Sequence, residues 1–72
     1  MARYTLADLE KADRYIADGE RHVSRQKALI ARLRLIGIST TDAQDLLRLL
    51  VELLALFHQH RTSIVTAIYE AK

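Results

Sequence analysis

The stretch Leu33–Gln44, read LRLIGISTTDAQ, decides how this chain folds. Gly37 suits the left-handed residue just past a helix end, because it has no Cβ to clash there. Arg32 and Arg34 lie in the preceding turn, where cations favour the negative end of the helix dipole. Ile38 falls one residue beyond Gly37 and is placed to cover Leu33, as a Schellman ending expects. Ser39, Thr40, Thr41 and Asp42 then supply N-cap formers and a first-turn acid. Thr40 and Thr41 both qualify as the cap; with Thr41, Gln44 would complete a capping box. A stop and a start this close together make the flanking helices antiparallel neighbours.

Upstream, apolar residues recur every seven positions at Leu9, Ile16, Val23 and Ile30, with Ala12, Gly19, Gln26 and Leu33 three residues further on. That is a coiled-coil seam, small or polar at three of its four companion positions. Thr5 caps this helix with Asp8 in the capping-box position, and Tyr4 and Leu9 are spaced for a hydrophobic staple. Downstream, Ala43, Leu50, Phe57 and Ile64 form one line and Leu46, Leu53, His60 and Ala67 are taken as its companion. Leu47, Leu49, Val51, Leu54, Leu56 and Ile68 widen the apolar surface. Asp45, Arg48, Glu52, Gln59 and Thr66 leave a narrow polar face, with Arg48 and Glu52 spaced for a weak pair. The expectation is one all-α domain over residues 1–72: helix one about 5–36, a turn about 37–41, and helix two about 42–70.

Composition agrees with that architecture. The 72 residues are 50% hydrophobic but hold only three Tyr, one Phe and no Trp, so the apolar content is aliphatic, as in helix bundles. The absence of Pro and the presence of only two Gly argue against a turn-rich β fold. Without Cys there is neither a disulfide framework nor a thiolate metal site. No secretory signal is read at the N-terminus, and Leu46–Phe57 is too short and too charged to cross a bilayer. A cytoplasmic protein with no membrane partner is expected.

A hairpin of this length is near the lower limit for an independent core. Each of its helices can bury only one stripe against the other, whereas helix two is apolar around most of its girth. Burying a Leu-sized side chain is worth roughly 1.5–3 kcal/mol, so about six surplus side chains put on the order of 10 kcal/mol at stake before entropy. Soluble monomers rarely expose such a patch. A homodimeric four-helix bundle follows as the expected assembly, with Leu49, Leu50, Val51, Leu53, Leu56 and Phe57 at the dimer interface. A tetramer is a further option, and the relative orientation of the two hairpins is left open.

With the turn centred near residues 38–39, residue i of helix one lies level with about residue 77 − i of helix two. Gly19 then meets bulky side chains near Phe57 and His58, a packing reason for a helical glycine that costs about 1 kcal/mol relative to Ala. Gln26 reads as a register-setting polar residue bonded to its symmetry mate or to His22. His58 and His60 are two residues apart and point about 200° away from each other, so they cannot hold one ion. His60 is read instead as a partly buried seam residue whose protonation would weaken a dimer.

Charge is unevenly spread. Residues 1–20 carry a net −2, residues 21–34 five cations and no anion, and residues 35–72 a net −1. Arg14, Arg21, Arg25 and Arg32, spaced seven, four and seven apart, lie within about 40° on one helix face. Such a line can follow a phosphate backbone, although Glu10 and Asp18 interrupt it and no stacking aromatics flank it. A solvated outer face is the simpler account. No nucleophile, acid–base pair or phosphate loop is recognisable, so no enzyme and no cofactor is expected.

The tract Leu6-Ala7-Asp8-Leu9-Glu10-Lys11-Ala12 through Gly19-Glu20-Arg21-His22-Val23-Ser24-Arg25-Gln26, with Gly37, Thr40, Ala43 and Leu46-Leu47, resembles a set of short uncharacterised helical-hairpin proteins of alphaproteobacteria. The likeness covers roughly residues 5–50, and Thr62–Tyr69 follow it less well. It implies a bacterial cytoplasmic hairpin and transfers no activity or site residue. The architecture also resembles that of the plasmid copy-control hairpin protein that dimerises and binds RNA, an analogy of shape without a shared motif. The functional expectation is therefore a non-enzymatic interaction or regulatory protein acting on an unidentified protein partner. The alternative is an RNA- or DNA-binding dimer that uses the four arginines, and a third option is a groove that docks a partner helix.

Overall fold

The computed structural model describes residues 4–70 as two α-helices, α1 (Leu6–Leu35) and α2 (Thr41–Glu70), packed antiparallel in a hairpin 57 Å long and 16 × 14 Å across. Thr5 starts α1. Its hydroxyl accepts from the Asp8 amide at 3.2 Å, and Asp8 Oδ2 accepts the Thr5 amide at 2.9 Å, closing the expected box. At the other end Gly37 has φ +76°, the left-handed value that favours glycine. The Ile38 amide donates to the Leu33 carbonyl at 3.0 Å and the Gly37 amide to the Arg34 carbonyl at 3.2 Å. Those are the two hydrogen bonds of a Schellman ending, and they satisfy carbonyls that α1 cannot.

The start of α2 narrows one expectation and corrects another. Thr41 is the first helical residue, so Thr40 is the cap: its carbonyl accepts the Gln44 amide at 2.8 Å. Gln44 forms no box with Thr41. Its side-chain amide donates to the Thr40 hydroxyl at 2.8 Å, while the Thr41 amide donates to Ser39 Oγ at 3.4 Å. The helix simply begins one residue earlier than the box would require.

On α1 the buried residues are Ala12, Ile16, Val23, Gln26 and Ile30, all members of the seven-residue lines read from sequence. On α2, Ile64 is fully buried, and Ala43, Leu50 and Phe57 of its line are half-buried. The companion line differs from expectation. Of its four members Leu46, Leu53 and His60 are exposed and Ala67 is half-buried, while Leu47, Leu54, Arg61 and Ile68 are also turned toward α1. Two local fits account for the choice. A Cβ at Gly19 would lie 3.0 Å from Leu54 Cδ1 and 3.6 Å from Phe57 Cδ2, so α2 approaches α1 closely where Leu54 fills the notch left by glycine. One helical turn and more further on, Arg61 Nε donates to Asp13 Oδ1 across the hairpin at 2.5 Å. Both contacts need the Leu47–Leu54–Arg61 line inward.

Gln26 is also repositioned. It is 8% exposed and donates from Nε2 to the Ala43 carbonyl at 2.8 Å, so within one chain it ties α1 to the first turn of α2 rather than to His22. No buried side-chain nitrogen or oxygen lacks a partner among the described residues. Arg48 pairs with Asp45 at 3.2 Å instead of Glu52. Among the described residues, no helix is long and apolar enough to cross a membrane.

Candidate association interface

With Leu47 and Leu54 turned inward and Leu50 half-buried, the other α2 leucines are left about half exposed. Leu46, Leu49, Leu53 and Leu56 follow one another at intervals of three, four and three, the spacing of a coiled-coil seam. They are 47%, 61%, 45% and 58% exposed. The line lies about 80° around α2 from the side that meets α1.

Its inner margin is a groove between the helices, lined by Leu50, Leu53, Leu54 and Phe57 from α2 and by Tyr15, Asp18, Gly19 and His22 from α1. Leu50 and Phe57 form the floor of this groove, half-buried. The Tyr15 ring stacks on Phe57 with centroids 5.7 Å apart and planes 29° from parallel. At the open end the Tyr4 ring meets His60 edge-on at 5.8 Å. Tyr15, His22 and Leu29, seven residues apart, continue the surface onto α1, where Leu29 is also exposed. The result is one broad, largely apolar face across both helices, with His22 and Asp18 as its polar members on α1.

Of the six residues expected at an interface, five share this face: Leu49, Leu53 and Leu56 as its ridge, Leu50 and Phe57 at its base. Val51 does not. It lies in the groove on the opposite side of the hairpin with Lys27, Ile30, Arg34 and Arg48. The spacing accounts for that, since residues 51 and 53 point about 200° apart on a helix. Leu46, Tyr15 and Leu29 belong to the face but were absent from the expected interface. For Leu46 the available signal was its three-residue offset from Leu49; for Tyr15 and Leu29 it was a fourteen-residue spacing across the Gly19 notch.

Arg14, Arg21, Arg25 and Arg32 are all exposed on the side of α1 turned away from α2. Arg21 is held by an ion pair with Asp18, one turn earlier. Arg14, Arg25 and Arg32 have no ion-pair partner among the described residues. His58 and His60 are both exposed, so His60 is not part of the α1–α2 seam. No group of three or more His, Asp or Glu side chains that could hold a metal ion occurs among the described residues.

Comparison with protein-family models, with curated proteins and with solved structures finds no match.

Proposed function

We propose that this chain is a non-enzymatic interaction module whose working form is a homodimer, two hairpins joined through the leucine face into a four-helix bundle. The observation that carries the reading is the line Leu46, Leu49, Leu53 and Leu56. Four leucines at seam spacing, each about half exposed, form a contiguous apolar ridge of the kind monomers seldom leave in water. The hairpin itself buries few side chains completely, Ile64 alone being below 2% exposure among the described residues. A structure with so small a core gains the most from covering a second seam. The bundle would then offer its outer surface to a protein partner.

Sedimentation equilibrium at micromolar concentration should give twice the 8.2 kDa chain mass. The double variant Leu49→Glu/Leu56→Glu, which places charge in the ridge without touching the α1–α2 seam, should sediment as the single chain. A well-folded species of one chain mass for the unaltered protein would overturn the proposal.

A second reading rests on a separate observation, the exposure of Arg14, Arg25 and Arg32 without ion-pair partners. Cations held in a line on a rigid helix fit phosphate spacing, so RNA or DNA is the alternative ligand. Binding of that kind must fall steeply with added salt and must be lost in Arg14→Glu/Arg25→Glu. A flat titration against structured RNA and duplex DNA at low salt would eliminate it.

A further inference from the structure

Resting on the dimer reading above, we infer that the second hairpin lies with its turn at the opposite end, α1 antiparallel to its own copy and α2 antiparallel to its own copy. Two hairpins placed face to face by a twofold axis have two choices. If the axis runs along the helices, both turns lie at one end and each α1 covers the other chain's α2. If it runs across the helices, the turns lie at opposite ends and like helices meet. Either choice requires the apolar lines on α1 and α2 to be centred at the same height, so that each meets an apolar line of the second copy.

They are. Leu46, Leu49, Leu53 and Leu56 are centred on residue 51, and Tyr15, His22 and Leu29 on residue 22. Contacts across the hairpin place those two positions level: Asp13 meets Arg61, Tyr15 meets Phe57, and Gly19 meets Leu54. One axis at that height sets Leu46 against the second copy's Leu56, Leu49 against its Leu53, and Tyr15 against its Leu29. His22 then faces its own copy.

Charge separates the two choices. On the turn side of that height, Arg25, Lys27, Arg32, Arg34 and Arg48 outweigh Asp42 and Asp45, a net +3. On the open side, the seven acids from Asp8 to Glu20 and at Glu52 and Glu70 outweigh Lys11, Arg14, Arg21 and Arg61, a net −3 over residues 4–70. Counting Arg3 and Lys72, which follow in sequence beyond that end, the contrast is +3 against −1. Opposed turns bring the positive half of one hairpin over the negative half of the other; turns together set positive half beside positive half, although each α1 then lies directly over an α2 whose turn half is a net −1. The arrangement also sets the two arginine lines side by side on one surface of the bundle. Its electrostatic cost lies near the axis, where Glu52 comes near its own copy and Arg21 and Arg25 come near the second copy's arginine line.

The chain has no cysteine, so single-cysteine variants carry one spin label per chain. Leu6 and Leu35 are exposed at the two ends of α1 and lie off the apolar face. At 1.5 Å rise per residue, opposed turns separate two Leu35→Cys labels by about 40 Å and two Leu6→Cys labels by about 50 Å. Both distances should be read by pulsed dipolar spectroscopy. Turns at one end would leave each pair separated by only the bundle's width, under about 30 Å given helices of about 10–12 Å diameter. Glu52→Gln gives an independent reading: it should tighten the dimer about twofold by relieving a like-charge contact, whereas beside the arginines of a turn-aligned partner it would loosen it. Short distances at both sites, in a species of two-chain mass, overturn this orientation and leave the dimer standing. A single-chain mass overturns both.

Discussion

Gly19 and Gln26 are two residues through which α1 meets α2. The Gly19 Cα faces Leu54 Cδ1, and a methyl group there would sit 3.0 Å from it. That neighbour is the tip of a flexible, half-buried side chain and can rotate aside. Gly19→Ala therefore keeps most of the roughly 1 kcal/mol gained by removing a helical glycine and raises the unfolding midpoint. Gly19→Leu cannot be absorbed in the same way, because Phe57 closes the other side of the notch. It should destabilise by about 1–3 kcal/mol, the usual range for overpacking, as measured by urea unfolding. Gln26→Ala removes the bond to the Ala43 carbonyl and leaves a gap beside Ile30 in the seam. A loss of about 1–2 kcal/mol is expected from a hydrogen bond plus lost packing, read from the same urea transition. Asp13 and Arg61, by contrast, are about half exposed, and a double-mutant cycle on them should return under about 1 kcal/mol.

At the scale of the helices, the two ends of α1 are held by different chemistry and should respond differently. Asp8→Ala removes the carboxylate that accepts the Thr5 amide but leaves the Asp8 backbone amide on the Thr5 hydroxyl, and should cost about 0.5–1 kcal/mol, seen as fraying of the first turn by amide hydrogen exchange. Gly37→Ala meets no steric obstacle, since nothing lies within 4 Å of a Cβ there. Its cost is purely conformational, about 1 kcal/mol for an L-residue forced to φ +76°, and circular dichroism should show helix content unchanged while thermal stability falls. The two helices also differ in what they can specify. On α1 apolar residues are sparse, so the heptad read from sequence is the face that is buried. On α2 leucines stand at 46, 47, 49, 50, 53, 54 and 56, which satisfies more than one seam at once. Periodicity alone does not separate those seams.

For the whole molecule, a stability that depends on pairing must depend on concentration. The unfolding temperature should rise as protein concentration rises, and it should become independent of concentration in Leu49→Glu/Leu56→Glu. A midpoint that stays constant over a hundredfold dilution of the unaltered chain would speak for a self-sufficient hairpin. The opposed-turn arrangement adds a salt effect, because matching the charged halves of two hairpins contributes less as ionic strength rises. Added salt should raise the dimer dissociation constant moderately; the turn-aligned arrangement would show the reverse.

What the sequence determined by itself was local: two long helices, the cap at Thr5, the left-handed turn at Gly37, and the α1 face that carries Ile16, Val23 and Ile30. Each follows from propensity or spacing within a few residues, and no distant contact is needed to settle it. Which α2 leucines turn inward, which partner Gln26 takes and where His60 lies were decided only by the tertiary structure. Those outcomes depend on whether a side chain of one helix fits a gap in the other, as Leu54 fits Gly19, and on whether charges such as Asp13 and Arg61 fall within reach. The leucines left over by that choice form the face from which the dimer is inferred.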